Sequence, residues 1–456
     1  MAAEKKRSST KLNPDTFSKL DSSIIENILG RLPLSDAVRT SALSPNWRHA
    51  WKGIRRLKFD EEFLDYIGEE RIVCHDSYAC VIDRVLFLHN GPLHEVVLLI
   101  PIYGINLPGP TLDISPWLSF LSRTKVESLT IEVCKGFSDF PGGVGGYQIP
   151  SCLFSCAGLK HLKLSSCVIE ASRQVTGFSH LTSLELYRVD VSRGTLETII
   201  GNSPLLEKLS LRDSSIMEDS LLINGPELRL LDVQCHYPKT LQLQRPLNLV
   251  SVTVKQLLVV QVDNSNTSNL IDFLCHLPAA EDVALDLICE NEKPFSETFT
   301  PYNIPRKLPV ALESMKKLTI EGLSPNVADH ISYLLCLIRS SPALTALELR
   351  LCMIINDVSE EITMEAQGRA EASSTSLQTI KITHVRGTNH EMMLIKCLIS
   401  CCVKLKTMHI IGDPLIQDGQ EARMRRKLVR LRRAPADAEV IYTRLGEDTA
   451  VNLRLN

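Results

Sequence analysis

The sequence predicts an α/β protein in which a small helical module precedes a long array of short parallel strands and helices. Three observations support this fold class. Helix starts, helix breaks and two tryptophans are concentrated between residues 15 and 60. A short aliphatic pattern then recurs along the rest of the chain. Aromatic residues make up only 5% of the 456 residues, which fits an aliphatic repeat array better than an aromatic-rich barrel.

The first helix of the module is predicted from its apolar residues. Ser23 and Glu26 have the spacing of a capping box ahead of this helix. Pro33 ends the helix, because proline lacks an amide proton and clashes with the preceding turn. Five residues at helical spacing form one broad apolar face: Ile24, Ile25, Ile28, Leu29 and Leu32.

Two further short helices are predicted in the same module. Ser35 or Asp36 can cap the second helix. Ser44–Pro45 begins a third helix, on which Trp47 and Trp51 share one face. A module of about 40 residues buries too little surface to be stable alone. It should therefore pack on the rest of the chain, on another protein, or on both.

The recurring pattern is L-x-x-L-x-L, with other aliphatic residues allowed. Clear instances are LKHLKL (159–164), LTSLEL (181–186) and MKKLTI (315–320). The spacing is 21–25 residues between Leu159 and Leu249 and 28–39 residues elsewhere. This period is typical of leucine-rich repeats, in which each unit adds one strand to a parallel stack. The first positions of the pattern are Ile54, Leu93, Val126, Leu159, Leu181, Leu206, Leu228, Leu249, Ala280, Met315, Leu344, Leu377 and Leu405.

A doubly wound α/β sheet is the alternative reading of alternating strands and helices. Such a sheet is not expected to repeat the pattern so often, and no glycine-rich nucleotide motif follows a predicted strand. The prediction is therefore a leucine-rich-repeat solenoid with parallel strands on the concave side and helices and loops on the convex side.

The non-leucine positions of these strands should point outward and line the concave surface. They mix both charges with one aromatic residue, which favours a protein or peptide partner over nucleic acid. The candidate target-binding residues are His161, Lys163, Glu185, Tyr187, Lys208, Arg212, Asp232, Gln234, Thr253 and Lys255.

Composition and motif content argue against several other classes. The net charge of −3 does not indicate nucleic-acid binding. The sequence shows no run of apolar residues long enough to cross a membrane, so no membrane span is expected. No signal peptide is recognised either, so the cysteines are expected to be reduced, as in the cytoplasm or nucleus. No hydrolase, kinase or zinc motif occurs, so no catalytic residue, metal or cofactor is expected. A basic run at 423–433 is interpreted as the solvated face of a helix whose Met424, Leu428 and Leu431 pack inward, in preference to a nuclear signal or a nucleic-acid patch.

Residues 15–60 closely resemble an F-box as found in plant F-box/leucine-rich-repeat proteins. The matching segments include Ile24–Ile25, Leu32–Pro33, DAVRTSALSPNWRHAW (36–51) and LKFD (57–60). The resemblance implies binding to a Skp1-like adaptor that bridges to a cullin–RING ubiquitin ligase. The implied adaptor contacts are Leu20, Ile24, Ile28, Leu32, Pro33, Val38 and Trp47.

The resemblance departs from the family at one position and extends to the C-terminal part of the chain. Leu20-Asp21 stands where the family usually has Leu-Pro, so the fold should survive while the adaptor contact weakens slightly. Residues 377–410 and 423–442 resemble the FBD region that closes many plant F-box/leucine-rich-repeat proteins. The predicted organisation is a disordered tail (1–14), an F-box (15–52), leucine-rich repeats (53–376), and FBD-like repeats with a cap (377–456).

The function predicted on this basis is recruitment of a target protein to an SCF-type ubiquitin ligase. The F-box would hold the adaptor, the repeats would hold an unknown target protein, and catalysis would belong to the partners. The alternative is a leucine-rich-repeat scaffold with no link to ubiquitin. A hydrolase or transferase would need a clustered catalytic set, and none is visible in the sequence.

Overall fold

The computed structural model describes residues 20–68, 75–101, 112–134, 146–170, 178–192, 194–216, 220–235, 240–244, 248–255, 259–262, 270–287, 305–352, 376–431, 438–444 and 451–452. The predicted tail (1–14) lies outside them. The chain divides into two compact units. The first comprises Met1–Val168 and Thr176–Leu181, and the second comprises Ile169–Val175 and Thr182–Asn456. Within the described residues, no helix combines the length and the apolar character needed to cross a membrane.

The first unit begins with the helical module, here residues 20–53. Its helices are α1 (Ser22–Leu29) and α2 (Leu34–Arg39), followed by 3₁₀ helices at Thr40–Ala42 and Ala50–Gly53. Its buried side chains are Ile25, Leu29, Leu34, Ala37, Trp47 and Trp51. One compact core therefore joins the first helix to the double-tryptophan segment.

Three local predictions for the module are wrong. Helix α2 begins at Leu34 with Pro33 as its N-cap residue, so neither Ser35 nor Asp36 caps it. Helix α1 starts one residue before Ser23, with Asp21 as its N-cap residue, and neither forms a capping box there. The predicted third helix is a series of turns that ends in the 3₁₀ helix at Ala50–Gly53. The amides of Trp47 and Arg48 do bond to the Ser44 carbonyl, so one helical turn forms but does not continue.

The rest of the first unit is a parallel ladder with helices between its strands. Strands pair in the order β1 (Arg56–Phe59), β2 (Glu95–Pro101), β3 (Ser128–Cys134) and β5 (His161–Ser165). A shorter ladder pairs β4 (Tyr147–Gln148) with β6 (Cys167–Ile169). The helices of this part are α3 (Glu61–Gly68), α4 (His75–Leu88), α5 (Ser115–Thr124) and a 3₁₀ helix at Ser151–Ser155.

The main ladder of the second unit is parallel until its last strand, which is antiparallel. Its strands, in order, are β7 (Ser183–Tyr187), β9 (Lys208–Arg212), β12 (Leu230–Gln234), β14 (Ser251–Lys255), β16 (Asp282–Asp286), β17 (Lys317–Leu323), β18 (Ala346–Leu351), β19 (Thr379–Val385), β20 (Thr407–Gly412), β21 (Glu439–Arg444) and β22 (Val451–Asn452).

Short ladders and helices complete this unit. The ladders pair β8 (Asp190–Val191) with β10 (Ser215–Ile216), and join β11 (Ser220–Asn224), β13 (Thr240–Gln244) and β15 (Val259–Val262). The helices are α6 (Thr195–Gly201), α7 (Leu270–Cys275), α8 (Ala328–Ser340), α9 (Asn389–Cys401) and α10 (Asp418–Val429).

Burial confirms the repeat pattern that the sequence predicts. All thirteen first positions of L-x-x-L-x-L are at most 4% exposed. The strands that follow alternate buried leucine, isoleucine or valine with more exposed residues, as in β5, β7 and β12. Each repeat therefore turns one row of aliphatic side chains inward and leaves the other row on the opposite face. The predicted α/β fold class, with helices first and mostly parallel strands after them, is confirmed.

The C-terminal repeats contain a capping box that was not predicted from the sequence. Thr388 accepts a hydrogen bond from the Glu391 amide at the start of α9, and the Glu391 carboxylate accepts from the amides of Arg386 and Thr388. Helix α10 contains most of the basic run at 423–433. As predicted, its Met424 and Leu428 are buried, so its neighbouring basic side chains lie on the outer side. Leu431, predicted to pack inward with them, lies beyond the end of the helix and is half-buried.

Candidate protein-interaction surfaces

The helical module exposes more large apolar side chains than its size would suggest. Residues 20–53 contain four of the fourteen exposed large apolar side chains found among the described residues. Ile24 is 47% exposed, Leu43 is 62% exposed, and Leu32 and Val38 are also exposed. We call these four residues the module face. Exposed apolar groups concentrated in one small region are typical of protein-interaction sites.

The structure places the seven predicted adaptor contacts in three environments. Ile24, Leu32 and Val38 belong to the module face. Three others, Leu20, Ile28 and Pro33, are half-buried.

Trp47 is only 2% exposed, so its side chain packs inside the module and offers a partner almost no surface. Leu43 was not among the predicted contacts, although it is the most exposed of the four residues of the module face.

A cleft of about 210 Å³ lies beside the module face. Leu32 and Pro33 form part of one wall, and Ile54 and Phe63 contribute further apolar surface. Charged residues of both signs complete the lining: Arg31, Arg56, Lys58, Asp60 and Glu62. Two of the predicted adaptor contacts, Leu32 and Pro33, therefore line a cleft whose wall offers both apolar and charged groups to a partner's side chain.

The module is fixed to the chain that follows it by backbone contacts. The buried His89 ring lies with Nε2 2.8 Å from the Ile54 carbonyl, and the Asn90 amide donates to the Lys52 carbonyl at 3.0 Å. A Cβ on Gly91 would stand 2.9 Å from the Gly53 Cα, so glycine is required for this close approach. The module is therefore an integral part of the first unit.

The strand face of the first unit contains two of the predicted target-binding residues, both on β5. His161 and Lys163 are exposed, and they alternate with buried Leu162 and Leu164. Lys163 Nζ forms an ion pair with Glu132 Oε1 of β3 at 2.8 Å. The positive charge of Lys163 is thus matched by the neighbouring strand.

Asp232 is the centre of a polar cluster on the strand face of the second unit. Arg212 Nε donates to Asp232 Oδ2 at 2.6 Å, Ser210 Oγ donates to the same oxygen at 3.2 Å, and Gln234 Nε2 donates to Oδ1 at 2.7 Å. Only 16% of the Asp232 side chain is exposed, whereas Arg212 is 56% exposed. We call Ser210, Arg212, Asp232 and Gln234 the Asp232 cluster. It brings three predicted target-binding residues together.

The remaining predicted charges of this face are also paired. Glu185 forms an ion pair with Lys208 on the adjacent strand. Lys255 Nζ lies 2.8 Å from Glu321 Oε1, and Thr253 is half-buried between its neighbours. Each of these charges therefore has a partner of opposite sign on another strand of the same ladder: Lys208 pairs with the adjacent strand, and Lys255 reaches past β16 to Glu321 on β17.

Two apolar groups stand out on that balanced face. Tyr187 and Leu230 are exposed at outward positions of β7 and β12. The Arg188 guanidinium lies 5.3 Å from the centre of the Tyr187 ring, which holds the ring at the end of its strand. An exposed tyrosine next to arginines is the type of anchor that dominates protein interfaces.

The described residues do not contain a group of three or more His, Cys, Asp and Glu side chains placed to hold a metal ion. The features that the fold does build are an apolar module face and a strand face with paired charges. A helical module followed by a leucine-rich parallel ladder is the organisation of an F-box/leucine-rich-repeat protein, a class with a protein-interaction role whose members are typically non-catalytic adaptors.

Comparison with protein-family models gives the family. The model described as "FBD-associated F-box protein At5g56370, LRR repeats" matches residues 114–349, and the F-box domain model matches residues 17–59. The first match spans more than half of the 456 residues, so this chain belongs to the family of FBD-associated F-box proteins with leucine-rich repeats.

Several curated relatives come from Arabidopsis thaliana. F-box/FBD/LRR-repeat protein At1g13570 is 29% identical over 437 residues, which is 94% of this chain and 99% of that protein. F-box/FBD/LRR-repeat protein At5g56420 is 27% identical over 49% of this chain and 56% of its own length. F-box/LRR-repeat protein At3g26922 is 27% identical over 50% of this chain and 69% of its own length.

Proposed function

We propose that this protein is the substrate-recognition subunit of an SCF-type ubiquitin ligase. Its F-box binds a Skp1-like adaptor, and through it a cullin–RING ligase, while its repeats bind a target protein for ubiquitination. The chain itself is non-catalytic and acts in the cytoplasm, the nucleus or both. It contributes proximity, because it raises the effective concentration of target lysines near the ubiquitin-loaded enzyme.

The observation that carries the adaptor half of this proposal is the module face. Ile24, Leu32, Val38 and Leu43 are exposed on a module that already buries two tryptophans in its own core. Keeping large apolar side chains in water is unfavourable, and burial of their exposed parts against a partner helix supplies a fraction of the roughly 1.5–3 kcal/mol that full burial of such a side chain is worth. The F-box match over residues 17–59 supports a Skp1-like adaptor as that partner.

The target half is supported by the strand face. Tyr187 and the Asp232 cluster present an aromatic anchor beside a preorganised polar group. Such a surface fits a protein or peptide partner, since nucleic acid would require unpaired positive charge for its phosphates.

The test is a binding titration of the full chain with a purified Skp1-like adaptor. Leu43→Asp places a charge in the module face without altering the buried core, and we expect it to weaken adaptor binding at least about tenfold, equivalent to 1.4 kcal/mol. Leu415→Asp is the matched control, because Leu415 is exposed in the second unit and the chemical change is the same. The control should bind like the parent chain.

Point substitutions are preferable to deleting residues 15–52. Trp51 and Ile54 are buried, and the His89 ring lies against the Ile54 carbonyl, so deletion would disturb the first unit as a whole. If the intact chain does not bind the adaptor, or if Leu43→Asp and Leu32→Asp both bind like the control, the ligase proposal fails. A repeat scaffold without a link to ubiquitin would then be the better description.

A further inference from the structure

Two thiols lie next to each other in the last turn of helix α9. Cys397 and Cys401 are four residues apart, and their Sγ atoms are separated by 4.0 Å. Both are half-buried, whereas the adjacent Cys402 is buried. The protein interactions described above do not involve this pair.

We propose that Cys397 and Cys401 form a modification site, at which a hydroperoxide oxidises the two thiols reversibly to a disulfide. This inference is independent of the proposed ligase function. It rests on the short sulfur–sulfur distance, the shared half-exposed position and the location of the pair at the end of a helix.

The two sulfurs have different roles in the reaction. The two thiols are within hydrogen-bond reach, and with Cys397 as the donor this hydrogen bond, together with the positive charge of Arg339, lowers the pKa of Cys401 to about 7. The same hydrogen bond, with burial, raises the pKa of Cys397. Cys401 is therefore the thiolate that attacks the peroxide, and Cys397 is the thiol that resolves the product.

The electrons and atoms balance with hydrogen peroxide as the oxidant. Cys401 sulfur attacks one peroxide oxygen, the O–O bond breaks, and the leaving hydroxide takes up the proton lost from Cys401 to become water. Cys401 is then a sulfenic acid. Cys397 sulfur attacks Cys401 sulfur, the S–O bond breaks, and the released hydroxide takes the Cys397 proton. Two thiols lose two electrons and two protons, and the peroxide becomes two waters.

Helix geometry makes the product easy to reduce. Residues four apart on a helix have Cβ atoms about 5–6 Å apart, whereas a disulfide needs about 3.5–4.5 Å. Closing this gap requires the last turn to rearrange, which is feasible because Cys401 is the final residue of α9. A strained disulfide has a more oxidising potential, so a dithiol reductant should restore both thiols.

The experiment is peroxide treatment of the full chain, followed by alkylation, trypsin digestion and mass spectrometry. Cleavage after Lys396 and Lys404 releases CLISCCVK, which contains Cys397, Cys401 and Cys402. We expect this peptide to lose two hydrogen atoms and to accept one alkyl group instead of three. Dithiol reduction before alkylation should return it to three.

Single substitutions identify which two of the three cysteines form the disulfide. Cys402→Ala should still form the disulfide, while Cys397→Ser and Cys401→Ser should abolish it. Cys80 is an exposed thiol that serves as an internal comparison for oxidation by exposure alone. The proposal is overturned if Cys402→Ala forms no disulfide at peroxide doses that oxidise Cys80. It is also overturned if Cys397→Ser retains a disulfide, since the bond would then join Cys401 to Cys402.

Discussion

Asp21 occupies a backbone conformation that proline can also adopt. Its φ of −64° matches the angle that the proline ring fixes near −65°. Its side chain does not cap α1, and the amides of Ile24 and Ile25 bond to its carbonyl, which proline retains. The structure therefore gives no backbone reason for the unusual residue at this position.

We predict that Asp21→Pro raises the free energy of unfolding by about 0.4–1 kcal/mol, because proline restricts the unfolded chain. Urea denaturation would measure this change, and the adaptor titration should show slightly tighter binding, because the resemblance implies that Asp21 weakens the adaptor contact. A loss of stability would mean that the preceding residue cannot accept the extended conformation that proline imposes on it.

His330 is a buried histidine that links stability to pH. It is 1% exposed, and its Nδ1 accepts a hydrogen bond from the Ser324 amide at 3.0 Å. Burial lowers the pKa of His330 to about 4, well below its ordinary value of 6.5. The unfolded state therefore binds more protons than the folded state between these two pKa values, and stability falls as the pH drops through that window.

We predict that this histidine alone costs on the order of 1.4 kcal/mol at about pH 5.5 relative to neutral pH, and about 3 kcal/mol by pH 4. Urea denaturation at neutral pH, pH 5.5 and pH 4 measures the loss of unfolding free energy. His330→Gln keeps an acceptor for the Ser324 amide but cannot take up a proton. The variant should show a smaller pH dependence than the parent chain, and equal dependence would contradict the assignment.

At the scale of helices and strands, the repeat strands were predictable and the third module helix was not. A strand in this fold buries every second residue, so its leucines appear directly as a short sequence pattern. The segment Ser44–Gly53 has a helix start and two tryptophans at helical spacing, yet it forms turns and a 3₁₀ helix. Burial of Trp47 and Trp51 in the module core satisfies the segment without a continuous helix, because tertiary packing overrides weak local propensity.

Which side chains bond to each other on the strand face could not be predicted from the sequence either. The sequence identifies Arg212, Asp232 and Gln234 as outward residues, but their pairing depends on the register between strands. Arg212 lies opposite Gln234, while Asp232 stands opposite Ser210 and reaches the guanidinium diagonally. The position of a residue within a repeat cannot give this information. The outward position of these residues was predicted correctly. That three side chains all donate to Asp232 is visible only in the structure.

The Asp232 cluster should contribute measurably to stability. We predict that Asp232→Ala lowers the free energy of unfolding by about 1–2 kcal/mol, because Arg212, Ser210 and Gln234 lose their common acceptor. Glu348→Ala is the matched control, since Glu348 and Lys317 form a single pair at 3.6 Å with both side chains about 40% exposed. Such exposed pairs are typically worth about 0.2–1 kcal/mol, and this one, at 3.6 Å, should lie at the low end. Equal losses in the two variants would show that the cluster is no stronger than an ordinary surface pair.

At the scale of the whole molecule, the sequence predicted an adaptor-binding module and target-binding repeats, but it did not show which of the predicted side chains are exposed. Periodicity and motif resemblance identify the module and the repeats. Trp47 was predicted as a contact by its position in the resemblance and Leu43 was not, and neither resemblance nor periodicity separates an exposed apolar residue from a buried one on a short irregular segment. The useful variants therefore come from exposure, at Leu43 for the module face and Tyr187 for the strand face.

If the protein bridges an adaptor to a target, a substitution in one binding surface should weaken binding to that partner and leave binding to the other unchanged. We predict that Leu43→Asp loses the Skp1-like adaptor and retains the proteins bound by the repeats. Tyr187→Ala should retain the adaptor and lose at least about 1 kcal/mol of target affinity, roughly fivefold, as expected for an aromatic anchor. Quantitative mass spectrometry after affinity capture, with cullin activation blocked, measures both sets of partners together. Ubiquitination of the shared target should fall with either variant, because transfer needs both ends at once. If each variant lost both sets of partners, the substitutions would be acting through general unfolding, and the two faces would not be separate binding sites.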